Sequence, residues 1–237
     1  MGCECPANNY DKYCIENILK TEYENNPSIN SKYKITNYIK KVFYLINKIR
    51  TNPANFADYV KSSQQYIKEI EERVIFDHRI KVALNEGKKM FSECEEYLRT
   101  LPPMEELIFN DDIVLECPTE PNNIKDINYF KQKVIEKKET QKIEAYFKDS
   151  ISIPEISVLL IIVDDSTKNP KKKREAVLNP KFKYIGISST NDISESKNED
   201  ANKENGKNEG NNGNTENNNN NNINKKKSPF CAYFSFK

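Results

Sequence analysis

The sequence predicts a single α/β (α+β) domain, helical through most of its length and closed by a pair of strands. Three observations carry this. Apolar residues recur at helical spacing in successive stretches from position 35 onward. Two strand-like segments, 181–188 and 230–236, lie near the end, the second alternating Phe230, Ala232, Phe234 and Phe236. Between them, 191–227 is almost entirely Asn, Glu, Lys, Ser and Gly, a disordered Asn/Lys-rich insertion in the loop of a hairpin. Loop-closure entropy grows only logarithmically, about 0.6 kcal/mol per doubling, so the pairing tolerates such an insertion.

Residues 1–31 are polar and Asn-rich and read as a tail with one short helix over the weakly apolar patch 13–19; residues 32–237 then form the domain. Ile35, Tyr38, Ile39, Val42, Leu45, Ile46 and Ile49 make the first wide apolar stripe. Asn52 and Pro53 end that helix and start another, with Asn52 as N-cap and Pro53 at the first helical position. Its stripe runs through Phe56, Tyr59, Val60, Tyr66, Ile67 and Ile70. A third helix over 86–99 carries Met90, Phe91, Cys94 and Leu98 and stops at Pro102 and Pro103. Residues 124–136 show a weaker helical pattern, and 113–117 reads as a further strand.

The stretch 152–165 has β-branched residues suited to a strand, but Ser152 to Glu155 has the form of a capping box and the length suits three turns. It reads as a buried helix.

Composition narrows function. The 237 residues are 36% hydrophobic and 31% charged, and mean hydropathy is −0.84. The polar residues are bunched in the tail and insertion, and the remainder is an ordinary folding sequence, with 13 Tyr and 11 Phe to bury. A net charge of +1 speaks against nucleic-acid binding by bulk electrostatics. The beginning lacks a basic segment followed by an apolar one, and the longest apolar run is Val158 to Val163, so the expectation is a cytoplasmic protein, not secreted and not spanning a membrane. The six cysteines are then expected as reduced thiols. Cys3, Cys5 and Cys14 lack the spacing and the histidine of a zinc site.

Each chemical candidate has a bland counterpart. His78, the single histidine, reads as a base oriented by Asp77 or as a loop histidine without a partner. Asp164 and Asp165 read as metal ligands together with Glu155, or as a helix end and turn. Four of the six glycines lie in the tail or insertion, and no phosphate loop or nucleophile turn is present. No catalytic residue, cofactor or metal ligand is therefore expected. Lys171, Lys172, Lys173 and Arg174 form a basic cluster, either a solvated loop or a contact for anionic lipid head groups, worth about 1 kcal/mol per cation near the surface. Gly2, Cys3 and Cys5 are placed for myristoylation and palmitoylation, although Pro6 stands where the myristoylation signal has Ser or Thr.

LINKIRTNPANF (45–56), EGKKMF (86–91), LLIIVDD (159–165), REAVLNPKFKYIGIS (174–188) and CAYFSF (231–236) occur in the order seen in the CAP superfamily. The chain thus resembles the family of cysteine-rich secretory proteins, antigen 5 and pathogenesis-related protein 1, in its divergent protist-type branch. That resemblance implies an α-β-α sandwich with a small antiparallel sheet between helix layers. It also implies a cleft that usually presents two His and two acidic residues, sometimes with a divalent metal. Here Lys173 stands where the family's Gly-His-Arg string has His, IEAYF (143–147) replaces its Gly-Glu-Asn string, and the disulfides of secreted members are missing as a set. The function expected is a non-catalytic, lipid-binding or membrane-associated module at the cytoplasmic face of a membrane. The alternative is a protein-interaction or structural component of a cytoskeletal or membrane-associated complex. Ligand, protein partners and oligomeric state stay open.

Overall fold

A computed structural model describes residues 29–33, 35–71, 73–115, 117, 132, 135–190 and 230–237. The expected tail 1–31 therefore lies almost wholly outside the described residues, as do Gly2, Cys3, Cys5, the insertion and most of 124–136; residues 135–141 are helical.

The first stripe forms α1 (Asn37–Thr51), capped by Thr36 Oγ1, which accepts from the Ile39 amide at 3.2 Å. Asn52 then caps α2 (Pro53–Ser63), accepting from Asn55 N at 3.3 Å, with Pro53 in the first turn as expected. Periodicity overextends this helix. After a 3₁₀ turn at Gln64–Tyr66 the chain enters β1 (Ile67–Ile70), so Ile67 and Ile70 belong to a strand. It pairs antiparallel with β2 (Arg73–His78), which pairs with β3 (Ile80–Leu84). In β1 and β2 only Ile67 and Phe76 are buried, so tertiary pairing outweighs a weak local signal.

The third helix is α3 (Lys88–Thr100), burying the four residues expected. Gly87 starts it at φ 58°, and a Cβ there would sit 2.5 Å from Val74 Cγ1. Farther on comes α4 (Pro154–Val163), the helix expected over 152–165, buried around nearly its whole circumference. Its capping box is not realised: Ile153 is the N-cap residue and makes no side-chain bond, while Pro154 starts the helix. The short α5 (Lys172–Val177) follows.

The second sheet combines β4 (Ile108–Phe109), β5 (Ala145–Asp149), β6 (Tyr184–Ser189) and β7 (Ala232–Phe236) in the order β4-β6-β7-β5. The expected late pair is present, in a register from Ile185 opposite Phe236 to Ser189 opposite Ala232. This sheet is mixed rather than wholly antiparallel, because β4 runs parallel to β6. Together the helices and the two sheets make an α+β fold.

Residues 113–117 do not form the expected strand. Asp111–Ile113 is a 3₁₀ turn, and the chain beyond it is tied to the sheet by hydroxyls: Ser235 donates to Ile113 O and Ser188 to Leu115 O. Gly186 permits the approach, since a Cβ there would lie 2.8 Å from Ile113 C and Val114 N. Ile113, Leu115, Ile143, Cys231 and Tyr233 form a small cluster apart from the main core. The main core gathers α1, α3, α4 and the inward side chains Ile185, Ile187, Phe234 and Phe236.

Two buried polar side chains on α1 hold the chain connections. Asn47 clamps Leu107, donating to its carbonyl at 3.0 Å and accepting from its amide at 2.8 Å. Arg50, fully buried, donates to the carbonyls of Glu105 (2.9 Å), Val177 (2.8 Å), Asn179 (3.0 Å) and Phe182 (3.3 Å). Burial lowers its pKa, partly offset by the charge of Glu105. Arg50 thereby supplies donors to carbonyls at the chain connections, of which Asn179 O also accepts from the Phe182 amide at 3.3 Å.

Candidate functional site

A cleft of about 570 Å³ opens where β3, residues 149–152, the C-terminal end of α4 and Lys173 meet. Its apolar lining includes Ile80, Val82, Leu84, Ile151 and Leu160, and its polar lining includes Asp149, Ser150, Ser152, Asp164, Asp165 and Lys173.

Each carboxylate has a distinct setting. Asp149 closes β5 and accepts a hydrogen bond from Ser157 on α4. Ser157 lies 2.8 Å from the Tyr38 hydroxyl, so a polar chain runs from α1 to the cleft. Burial pushes the Asp149 pKa up, opposed by Ser157, the amides of Ser150 and Ile151, and the charge of Lys173. Asp165 turns away to bind the amides of Asn85 (3.0 Å), Glu86 (2.9 Å) and Gly87 (2.8 Å), anchoring the loop that starts α3.

Asp164 ends α4 in the left-handed region at φ 47°, with its amide returning to Leu160 O at 2.9 Å. Its Oδ2 accepts from the Lys173 amide at 2.8 Å. Its Oδ1 is buried and has no hydrogen-bond donor; the Lys173 ammonium stands 3.9 Å away. The residue is only 1% exposed, and burial raises its pKa against the pull of the Lys173 amide and charge, the Ser166 hydroxyl and the charge of Arg174. An acceptor with this much burial and no donor is costly to keep.

The expected basic cluster separates into different roles. Arg174, expected at a membrane surface, is 3% exposed: it donates to Ile162 O at 2.7 Å and Val163 O at 2.6 Å, capping the carbonyl end of α4. Lys171 pairs with Glu93 at 2.8 Å, and Lys173 faces the cleft. Only Lys172 of the four is exposed. The reason is local: these cations begin α5 directly behind the end of α4, where carbonyls and Asp164 need donors.

His78 stacks on Tyr66 with ring centroids 4.0 Å apart. Asp77 does not orient it: that carboxylate bonds Lys68 at 2.7 Å, and this bond lowers its pKa. Glu155 lies 4.0 Å from Arg79, away from any joint ligand set with Asp164 and Asp165. Among the described residues no group of three or more His, Cys, Asp or Glu could hold a metal ion. The divalent metal implied by the family resemblance does not fit the cleft, because the ammonium of Lys173 bears on both Asp149 and Asp164.

Sequence reasoning misses Asp149 altogether, since nothing local marks it; Lys173 is noticed as part of the basic cluster and as the residue standing where the family has histidine, not as a cleft residue. No helix among the described residues is long and apolar enough to cross a membrane. Comparison with protein-family models, with curated proteins and with solved structures finds no match to this chain.

Proposed function

We propose that the chain is a non-catalytic binding module of CAP-like build, working at the cytoplasmic face of a membrane, whose cleft takes a lipid-like ligand with a hydrogen-bond-donating, cationic head. The observation that carries this is Asp164, a lining residue of a cleft with an apolar side, whose buried Oδ1 has no hydrogen-bond donor. The lining mixes apolar side chains with convergent polar groups, a combination that can hold and orient a small molecule. The lining sets Asp149, Asp164 and Asp165 against Lys81 and Lys173, so an ammonium head is favoured over a carboxylate one.

Calorimetric titration with dodecylamine and with dodecanoate, each below its micelle concentration, tests the reading. The amine should bind with a stoichiometry of one, and Asp164→Asn should weaken it about tenfold, the loss of one charge-assisted contact of about 1.4 kcal/mol. Equal or tighter binding of dodecanoate, or no saturable binding of either, would refute it.

Attachment is the second part. Acylation of Gly2 with a second chain on Cys3 or Cys5 would anchor the module, since one myristoyl chain holds only marginally. Gly2→Ala should then shift the protein from the membrane to the soluble fraction of its own cells. An identical distribution of the two forms would remove the anchor and leave the cleft to stand alone.

A further inference from the structure

Cys117 and Cys231 are separated by 114 positions, yet their sulfurs lie 4.0 Å apart on the face of the second sheet opposite the main core. Both are free thiols. Cys231 immediately precedes β7 and is held by Thr190 on both sides, its amide donating to Thr190 Oγ1 at 3.0 Å and its carbonyl accepting from Thr190 N at 2.9 Å. Cys117 is half-buried and belongs to no ladder; its sulfur lies 3.4 Å from Ser188 Oγ and 3.5 Å from Cys231 O. One partner is therefore fixed and buried, and the other is on irregular backbone that solvent reaches.

We propose that Cys117 and Cys231 form a reversible dithiol–disulfide oxidation site, with a hydroperoxide as the oxidant. A disulfide needs its sulfurs about 2 Å apart, so the approach asked of Cys117 is a side-chain rotation with a small shift of unladdered backbone. The electrostatics agree with the geometry. The hydrogen bond from Cys117 lowers the Cys231 pKa to about 7, with help from Lys148 and Tyr233 and against burial, while the Cys117 pKa is raised by the same contact. Cys231 is thus the member of the pair that ionises near neutral pH, and a thiolate is the form that attacks a sulfenic acid.

Cys117, the thiol that solvent reaches, gives up its proton to solvent as its sulfur attacks the O–O bond; it becomes a sulfenic acid, and the alkoxide released takes up a proton to become the alcohol. The Cys231 thiolate then attacks Cys117 Sγ; the S–S bond forms and hydroxide leaves, protonated to water. Two thiols lose two protons and two electrons, and the hydroperoxide is reduced to one alcohol and one water. A thiol reductant reverses the bond by exchange. The product ties the 111–117 segment to the last strand across a long loop, which restricts the unfolded chain.

Cys94 is the internal control. It is fully buried on α3, donates to Ile162 O at 3.5 Å, and burial pushes its pKa up to about 12.

The full chain, reduced and then exposed to cumene hydroperoxide, would be alkylated under denaturing conditions and digested without reductant. Mass spectrometry should find a peptide linking Cys117 to Cys231, with Cys94 alkylated and the bridge removed by dithiothreitol. The unfolding midpoint in urea should rise on oxidation and return on reduction, and Cys117→Ser should abolish both the linked peptide and the shift. Recovery of Cys117 as a sulfinic acid, or bridged to Cys3, Cys5 or Cys14, without a 117–231 peptide would overturn the proposal. That mapping is done on the unaltered chain and does not depend on the variant folding.

Discussion

Two pairs of buried charges, Arg50 with Arg174 and Asp149 with Asp164, are handled in opposite ways. Arg50 points its guanidinium at four backbone carbonyls, and Arg174 spends Nε and Nη2 on two carbonyls at the end of α4 while its Nη1 lies 3.5 Å from Glu93. Asp149 and Asp164 line a cleft, are pushed up in pKa by burial, and leave one oxygen of Asp164 with no donor. The arginines are fully used by the fold, so they are structural. The aspartates keep capacity in reserve, which is what a binding group requires.

The largest effects should fall on the arginines, in the order of the carbonyls they serve. Arg50→Met should cost more than about 3 kcal/mol of unfolding free energy, since several buried carbonyls lose their donors at about 1–3 kcal/mol each. Arg174→Met should cost about 2 kcal/mol, because fewer carbonyls are orphaned and its methylenes keep their packing. Urea denaturation of both variants ranks them. An Arg174→Met loss equal to that of Arg50→Met would break the link between carbonyl count and cost.

The same contrast explains what the sequence discloses. α1, α3 and α4 are legible because their burial follows a helical repeat or, for α4, an uninterrupted apolar run with a proline at its start. The β6–β7 pair is legible because Phe234, Phe236, Ile185 and Ile187 make clear strand patterns. The 67–84 hairpins are not: Ile67 and Ile70 fit the stripe of α2, and Ile70 is 46% exposed in the strand it joins. Nor does 113–117 declare itself, since its buried apolar residues look like a strand while hydroxyls of Ser188 and Ser235 replace the ladder. The cleft is the least legible part. Lys171 to Arg174 look alike in sequence, and only the packing of α5 behind α4 gives one a core role and another the cleft.

The smallest expected effect is the sharpest test of the contrast. Asp164→Asn keeps an acceptor for the Lys173 amide, and Asn tolerates the left-handed backbone of this position. What it removes is a buried negative charge whose ion-pair partner, the Lys173 ammonium, is 3.9 Å away, with the charge of Arg174 acting on it as well. The folded-state pKa of Asp164 lies above its ordinary value because burial disfavours the ionised form. The penalty is therefore full above the folded pKa, falls as pH drops through it, and is gone below the unfolded value of about 3.9. At pH 7 to 8 the variant should be as stable as the unaltered chain or slightly more so, within about 1 kcal/mol, because the lost attraction of Lys173 offsets part of the relief. Lowering the pH should shrink the difference toward zero, as the unaltered side chain takes up its proton and becomes neutral too. Urea midpoints for both proteins from pH 3.5 to 8 measure this. A loss well above 1 kcal/mol at pH 7 would make Asp164 and Lys173 a structural ion pair, a charge already spent on the fold like the arginines, and would leave the cleft without its unmatched acceptor.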